Sequence, residues 1–240
     1  MQKVSRIEIW LAIIFSIAAL VFVFLLWMRG DAASTQLSTL NEEFSLLEKS
    51  AAEKKTNDEL AYLRIEKEYV NALLVEQPNG HFGDTIMRQF LFDAYRKPLL
   101  EQLLDSTDKR LAGIAEKALK ETKYHLRHSS EWIIRLGDGT QESHQRIQNS
   151  LEALLRYAYE LFFENEVDEL LIAQGIIPAA NSIFPIWEKT LHDVFEEATL
   201  SLPKNKWKFQ GGREGRHSEH MGYLLAEMQY MQRTYPNMEW

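Results

Sequence analysis

The sequence predicts an all-α protein, an antiparallel helical bundle. Three observations carry that prediction. From Thr56 onward apolar residues recur with the helical period of 3.6. Clusters of turn formers separate the periodic segments. No run of alternating strand residues, no βαβ rhythm and no fixed-period repeat occurs.

Two segments precede the bundle. Ile9 to Met28 is a run of 20 residues without a charge, with Trp10 and Trp27 near its ends. At about 1.5 Å per residue such a helix spans roughly 30 Å, the thickness of a bilayer hydrocarbon core. The run reads as a transmembrane anchor. A cleaved signal peptide and a buried core helix are the alternatives, and the run ends in LLWMRGD rather than a small-x-small cleavage site. Basic residues flank both ends, so orientation stays open. Leu37, Leu40, Phe44, Leu47 and Ala51 then follow at spacings of 3, 4, 3 and 4, an a/d seam over two heptads. This reads either as a polar helical stalk or as an amphipathic helix packed on the next domain. The expected organisation is an anchor over 1–30, a stalk over 31–57 and a bundle over 58–240.

Within the bundle, Thr56-Asn57-Asp58-Glu59 has the form of a capping box and predicts a helix to about Val75. Gln77-Pro78-Asn79-Gly80 breaks it. Asp84 is expected to cap a helix from Thr85 to about Leu104, kinked at Pro98. A third helix runs from about Asp108 to Leu136, with an expected inner stripe that includes Thr122, His125, Ser129, Trp132 and Ile133. A fourth begins near Thr140, a short acidic piece carries Val167, Leu170 and Leu171, and another helix covers about Asn181 to Ala198. A turn-rich loop leads to a last helix from about Ser218 to Tyr235.

Composition excludes several functions. There is no cysteine, hence no disulfide, zinc–thiolate or iron–sulfur site and no thiol nucleophile. The net charge is 27 − 35 = −8. Such a balance does not suit a nucleic-acid partner, which needs a basic face to neutralise phosphates. No serine-hydrolase elbow, kinase motif or dinucleotide-binding fingerprint occurs.

A helical bundle can host a dinuclear iron or manganese site, built from a carboxylate on each of two helices and a Glu-x-x-His pair on each of two more. Only His217 has a glutamate three residues earlier, Glu214, and Gly215 lies between them. Glu121 and His125 share a face of the third helix, with Tyr124 where a metal histidine would sit. The set Glu121, His125, Glu214 and His217 is therefore the alternative metal reading, against the expectation of no metal, no cofactor and no catalytic residue. His125, Arg213, Arg216, His217, Glu219 and His220 are read instead as buried polar or partner-facing residues, with Ser218 or Glu219 capping the last helix.

Four stretches carry a resemblance: Asn71–Tyr95, Leu111–Gln148, Glu197–Pro203 and Gly211–Pro236. Collinear from about Asp58 to Trp240, they resemble the PaaC-type subunits of bacterial phenylacetyl-CoA 1,2-epoxidase. The resemblance implies a ferritin-like fold and a structural subunit that has lost its metal ligands. It implies a hetero-oligomer with a di-iron catalytic subunit, fed by a reductase with flavin and an iron–sulfur cluster, in aerobic phenylacetate catabolism. It implies a cytoplasmic location, with membrane attachment through residues 9–28 as the departure. Residues 1–57 do not resemble the family's first helical hairpin. A free-standing, membrane-tethered di-metal oxidoreductase is the alternative function.

Overall fold

The structure is a computed structural model that describes residues 62–203, 208–236 and 238. The predicted span over 9–28 and the heptad seam over 37–51 lie outside the described residues. Among the described residues no helix is long and apolar enough to cross a membrane. All regular structure there is helical: α1 (Phe82–Leu103), α2 (Lys109–Gly137), α3 (Gln141–Ala158), α4 (Glu166–Ala173), α5 (Ala180–Glu197) and α6 (Met221–Thr234), with short 3₁₀ turns. The chain divides into two compact units, Ala72–Gly211 and a second made of the described residues of 62–71 and 212–238.

In the larger unit, α1 packs most extensively on α2 and also meets α3 and α5. Short connections, residues 104–108 and 138–140, make consecutive helices antiparallel neighbours. The core holds Met87, Phe90 and Leu91 of α1, Ile133 of α2, Ile147 and Leu151 of α3, and Trp187, Leu191 and Phe195 of α5. The Trp187 indole donates to the Leu91 carbonyl at 3.1 Å, so its one polar atom is satisfied in the core.

The helix starts are written locally. Asp108 accepts from the amides of Arg110 and Leu111, and Thr140 accepts from Ser143. The first start differs from expectation by one turn. His81, not Asp84, is the N-cap of α1: its ring accepts from Asp84 N, while the Asp84 carboxylate reaches back to His81 N at 3.0 Å. That carboxylate also accepts the Ser150 hydroxyl of α3 at 2.7 Å.

The predicted helix ending at Val75 is corrected. Residues 62–75 hold only 3₁₀ turns at Glu66–Glu68 and Leu73–Glu76, joined through extended backbone at Tyr69 and Ala72. The reason is tertiary. The Arg64 carbonyl accepts from Gln229, the Tyr69 carbonyl from His217, and the Leu73 amide donates to Glu160. Groups committed to distant partners are lost to an i→i−4 ladder, and local propensity yields.

The inner stripe of α2 is also corrected. It runs through Leu111, Ala115, Leu119, Thr122, Ser129, Ile133 and Gly137, and His125 is exposed. Thr122 and Ser129 can be buried because their hydroxyls donate to the carbonyls of Ala118 and His125, four residues back. Gly137 closes the stripe where no larger residue fits: a Cβ there would lie 2.2 Å from the Ala198 carbonyl oxygen.

Two helices end in the same hydrogen-bond pattern on different residues. After α4, Gly175 sits at φ 69°, with Gly175 N bonded to Ile172 O and Ile176 N to Leu171 O. After α5, Thr199 sits at φ 58°, with Thr199 N bonded to Glu196 O and Leu200 N to Phe195 O. Both are Schellman ends, and only the first has the residue that the left-handed backbone favours. Buried Leu200, packed in the core with Phe195, holds the Thr199 conformation in place. Thr199→Gly is expected to raise the unfolding free energy by about 0.5–1 kcal/mol, the relieved left-handed strain exceeding the added unfolded-chain entropy. Urea denaturation of the two forms measures it.

Candidate partner-docking face and buried carboxylates

One side of α2 is not taken up by the core. Tyr124, His128 and Trp132 are spaced by four and so stand above one another on the helix, Tyr124 and His128 exposed and Trp132 partly buried against the core. The Tyr124 and His128 rings stack with centroids 6.3 Å apart and planes at 15°. His128 meets Trp132 at 6.4 Å, and Trp132 meets Phe82 edge to face at 5.0 Å. The Arg127 guanidinium lies 5.6 Å from the Tyr124 ring centroid, Arg135 lies 5.6 Å from that of Trp132, and the His125 ring sits edge-on to Tyr124 at 5.7 Å. Tyr124 is 57% exposed and Phe82 51%. Aromatic rings held by their neighbours and flanked by arginine are the composition of protein–protein hot spots.

The residues of the alternative metal reading have other engagements. Glu121 and His125 are both exposed on α2 in the larger unit. Glu214 and His217 belong to the smaller one. Glu214 pairs with Arg216. His217 Nε2 lies 2.9 Å from the Tyr69 carbonyl oxygen, which can only accept, so that nitrogen carries a proton and offers no lone pair. Among the described residues no group of three or more acidic or histidine side chains could hold a metal ion.

The rest of the 213–220 segment is an approach to α6. Arg213 is half-buried, and Arg216 and Glu219 are exposed. His220 Nε2 lies 3.9 Å from Glu219 Oε1. The last helix starts three residues later than expected, at Met221. The Ser218 hydroxyl accepts from His220 N at 3.4 Å, a turn before the helix rather than a cap on it.

Two buried carboxylates escape the sequence reading. Glu160, 1% exposed, accepts Leu73 N and Gly211 N, each at 2.7 Å. Nothing near position 160 announces this, because its partners are 87 and 51 residues away. Asp93 is fully buried in α1; one oxygen accepts from Gln89 at 2.5 Å, and Oδ1 has no hydrogen-bond partner. A signal for it exists in the sequence: Asp93 follows Ile86 and Phe90 on the apolar side of the helix.

Burial raises the Asp93 pKa, and Gln89, Arg96 and His125 oppose that rise. With its folded pKa above the unfolded one, the folded protein binds more protons in the interval between them. Stability therefore falls as pH rises through that interval and then levels. Asp93→Asn removes the charge and keeps an acceptor for Gln89. It is expected to raise stability at pH 7 by about 1 kcal/mol, with the gain shrinking towards pH 4. Urea midpoints at the two pH values check it, and an equal shift at both would contradict it.

The described residues thus form a helical-bundle protein with exposed aromatic side chains on α2 and no group of acidic or histidine side chains placed to hold a metal ion. The chain belongs to the phenylacetic acid catabolic protein family, whose model matches residues 42–240. It is 44% identical over 183 residues to the C subunit of the 1,2-phenylacetyl-CoA epoxidase of Escherichia coli (strain K12), covering 76% of this chain and 74% of that protein. The family match begins at residue 42, inside the segment expected to be a stalk.

Proposed function

We propose that this chain is a subunit of a phenylacetyl-CoA epoxidase complex in phenylacetate catabolism. It is a ferritin-like, non-catalytic subunit that carries no metal and supports a di-iron catalytic subunit. The observation that carries the reading is the 44% identity to an epoxidase subunit over three quarters of both chains. The docking face is the exposed side of α2, where Tyr124, His125 and His128 stand with Arg127 and Arg135, bordered by Trp132, which is partly buried against the core. Its role is to bury those rings against the catalytic subunit, and oxygen chemistry stays in that partner. Electrons reach the partner from a reductase with flavin and an iron–sulfur cluster. The complex works in the cytoplasm, and residues 9–28 tether it to the membrane.

Co-expression of the full chain with the catalytic subunit of a phenylacetyl-CoA epoxidase tests this. Purification in mild detergent through a tag on this chain should recover the partner near one to one, and the iron with it. Iron on the lone chain would revive the di-metal reading through Glu121, His125, Glu214 and His217. Recovery of the folded chain with neither partner nor iron would overturn the assembly reading.

A further inference from the structure

Asn-Gly occurs once in the chain, at Asn79-Gly80. Both residues are exposed, immediately before the His81 cap of α1. Such a pair carries its own reaction. The glycine amide nitrogen can attack the carbonyl carbon of the asparagine side chain, and without a Cβ the glycine does not crowd the approach. The rate depends on how well the side-chain oxygen is stabilised as it gains charge. It also depends on how readily the glycine N–H gives up its proton, and on whether either nitrogen is held elsewhere.

Named neighbours decide all of these. The Arg88 guanidinium donates through Nη2 to Asn79 Oδ1 and through Nη1 to the Gln77 carbonyl, which fixes its position. A guanidinium can only donate, so the side-chain oxygen faces it. A cation there stabilises the negative charge that Oδ1 acquires when Cγ becomes tetrahedral. The Thr85 hydroxyl donates to the Asn79 main-chain carbonyl at 2.9 Å. That carbonyl shares a peptide with Gly80 N, so drawing electron density towards it makes the Gly80 N–H more acidic. A proton acceptor stands beside the same peptide: the Asp84 carboxylate lies so close to Gly80 that a Cβ there would run into Oδ2. Among the described residues neither Gly80 N nor Asn79 Nδ2 has a hydrogen-bond partner. Both oxygens are held, and both nitrogens are free: the one that attacks and the one that leaves.

We propose that Asn79-Gly80 is a self-modification site. Gly80 N gives its proton to the Asp84 carboxylate and bonds to Asn79 Cγ, and the carbonyl electron pair moves onto Oδ1 beside Arg88. The pair returns, the proton passes to Nδ2, and Nδ2 leaves as ammonia from a succinimide ring. Water then adds to one of the two ring carbonyls and opens it. Opening at Cγ gives aspartate, whose carboxylate stays beside Arg88. Opening at the main-chain carbonyl gives isoaspartate, which adds a carbon to the main chain between buried Gln77 and the His81 cap. No reactant but water is consumed.

Incubation of the full chain in mild detergent at mildly alkaline pH, followed by peptide mapping with mass spectrometry, tests this. The Asn79 peptide should show the mass gain of an amide-to-acid exchange, divided between aspartate and isoaspartate. The rate should be at least about tenfold that of the same chain unfolded in guanidinium chloride, because the reacting groups are already placed. Thr85→Val should slow the folded chain about fivefold, and Arg88→Met about tenfold or more. Circular dichroism identifies the variants that fold. A rate in the folded wild type equal to or below that of the unfolded chain would show that the fold protects the pair and overturn the proposal, whatever the variants do. Wild-type rates in a folded Arg88→Met would overturn it as well.

Discussion

Glu160→Ala is expected to cost about 3–5 kcal/mol of stability, each hydrogen bond to a buried charged group being worth about 1.5–3 kcal/mol. The two amides that its carboxylate accepts belong to Leu73 and Gly211, at the two ends of the unit Ala72–Gly211. One buried side chain therefore fastens both the entry and the exit of the larger bundle. Without it, the two donors lose their acceptor in a region with little water to replace it. Glu160→Gln keeps one carbonyl acceptor and should cost about half as much, whereas Glu116→Ala, at an exposed position, should change stability by less than about 0.5 kcal/mol. Urea denaturation gives the ranking. Native-state hydrogen exchange gives the cause: the Leu73 and Gly211 amides should lose protection before the α1 core does. Unchanged exchange at both amides would show that the clamp is not what they rest on.

The helices were legible because their signals are local. The helices expected to start near Asp108 and Thr140 do start there, with those two residues as their caps, and Ile147, Leu151, Leu154, Leu155 and Ala158 are all buried. What failed was decided elsewhere in the chain. Residues 62–75 have helical composition, but their backbone groups bond to Glu160, His217 and Gln229, which no window around them contains. On α2 the apolar and aromatic residues exceed what one stripe holds. The stripe placed Thr122 and Ser129 inside, where they are, and wrongly placed His125 with them, which faces outward. The missing second Glu-x-x-His motif is legible without any fold, since it needs only sequence spacing. The two buried carboxylates show the opposite limit. Asp93 is visible as a charge on an apolar face, and Glu160 is visible only once the fold brings Leu73 and Gly211 to it.

Tyr124→Ala is expected to weaken assembly with the catalytic subunit by about 2–4 kcal/mol, or roughly 30- to 1,000-fold in Kd. The ring is more than half exposed, stacked on His128 and covered on one side by Arg127, so it reaches a partner with little conformational entropy left to lose. Its removal leaves the core of α2 untouched, and stability should hold within about 0.5 kcal/mol. That separation distinguishes a docking role from a structural one. Trp132 would not serve as well, because it also supports Phe82 at the start of α1. Tyr124→Phe should retain most of the affinity if the ring is what the partner covers, and Arg127→Ala should lose an intermediate amount through the lost stacking. Titration of the purified catalytic subunit against the immobilised full chain measures all three. Wild-type affinity in Tyr124→Ala would place the partner on another surface, while a loss shared by affinity and urea midpoint would make Tyr124 a folding residue instead.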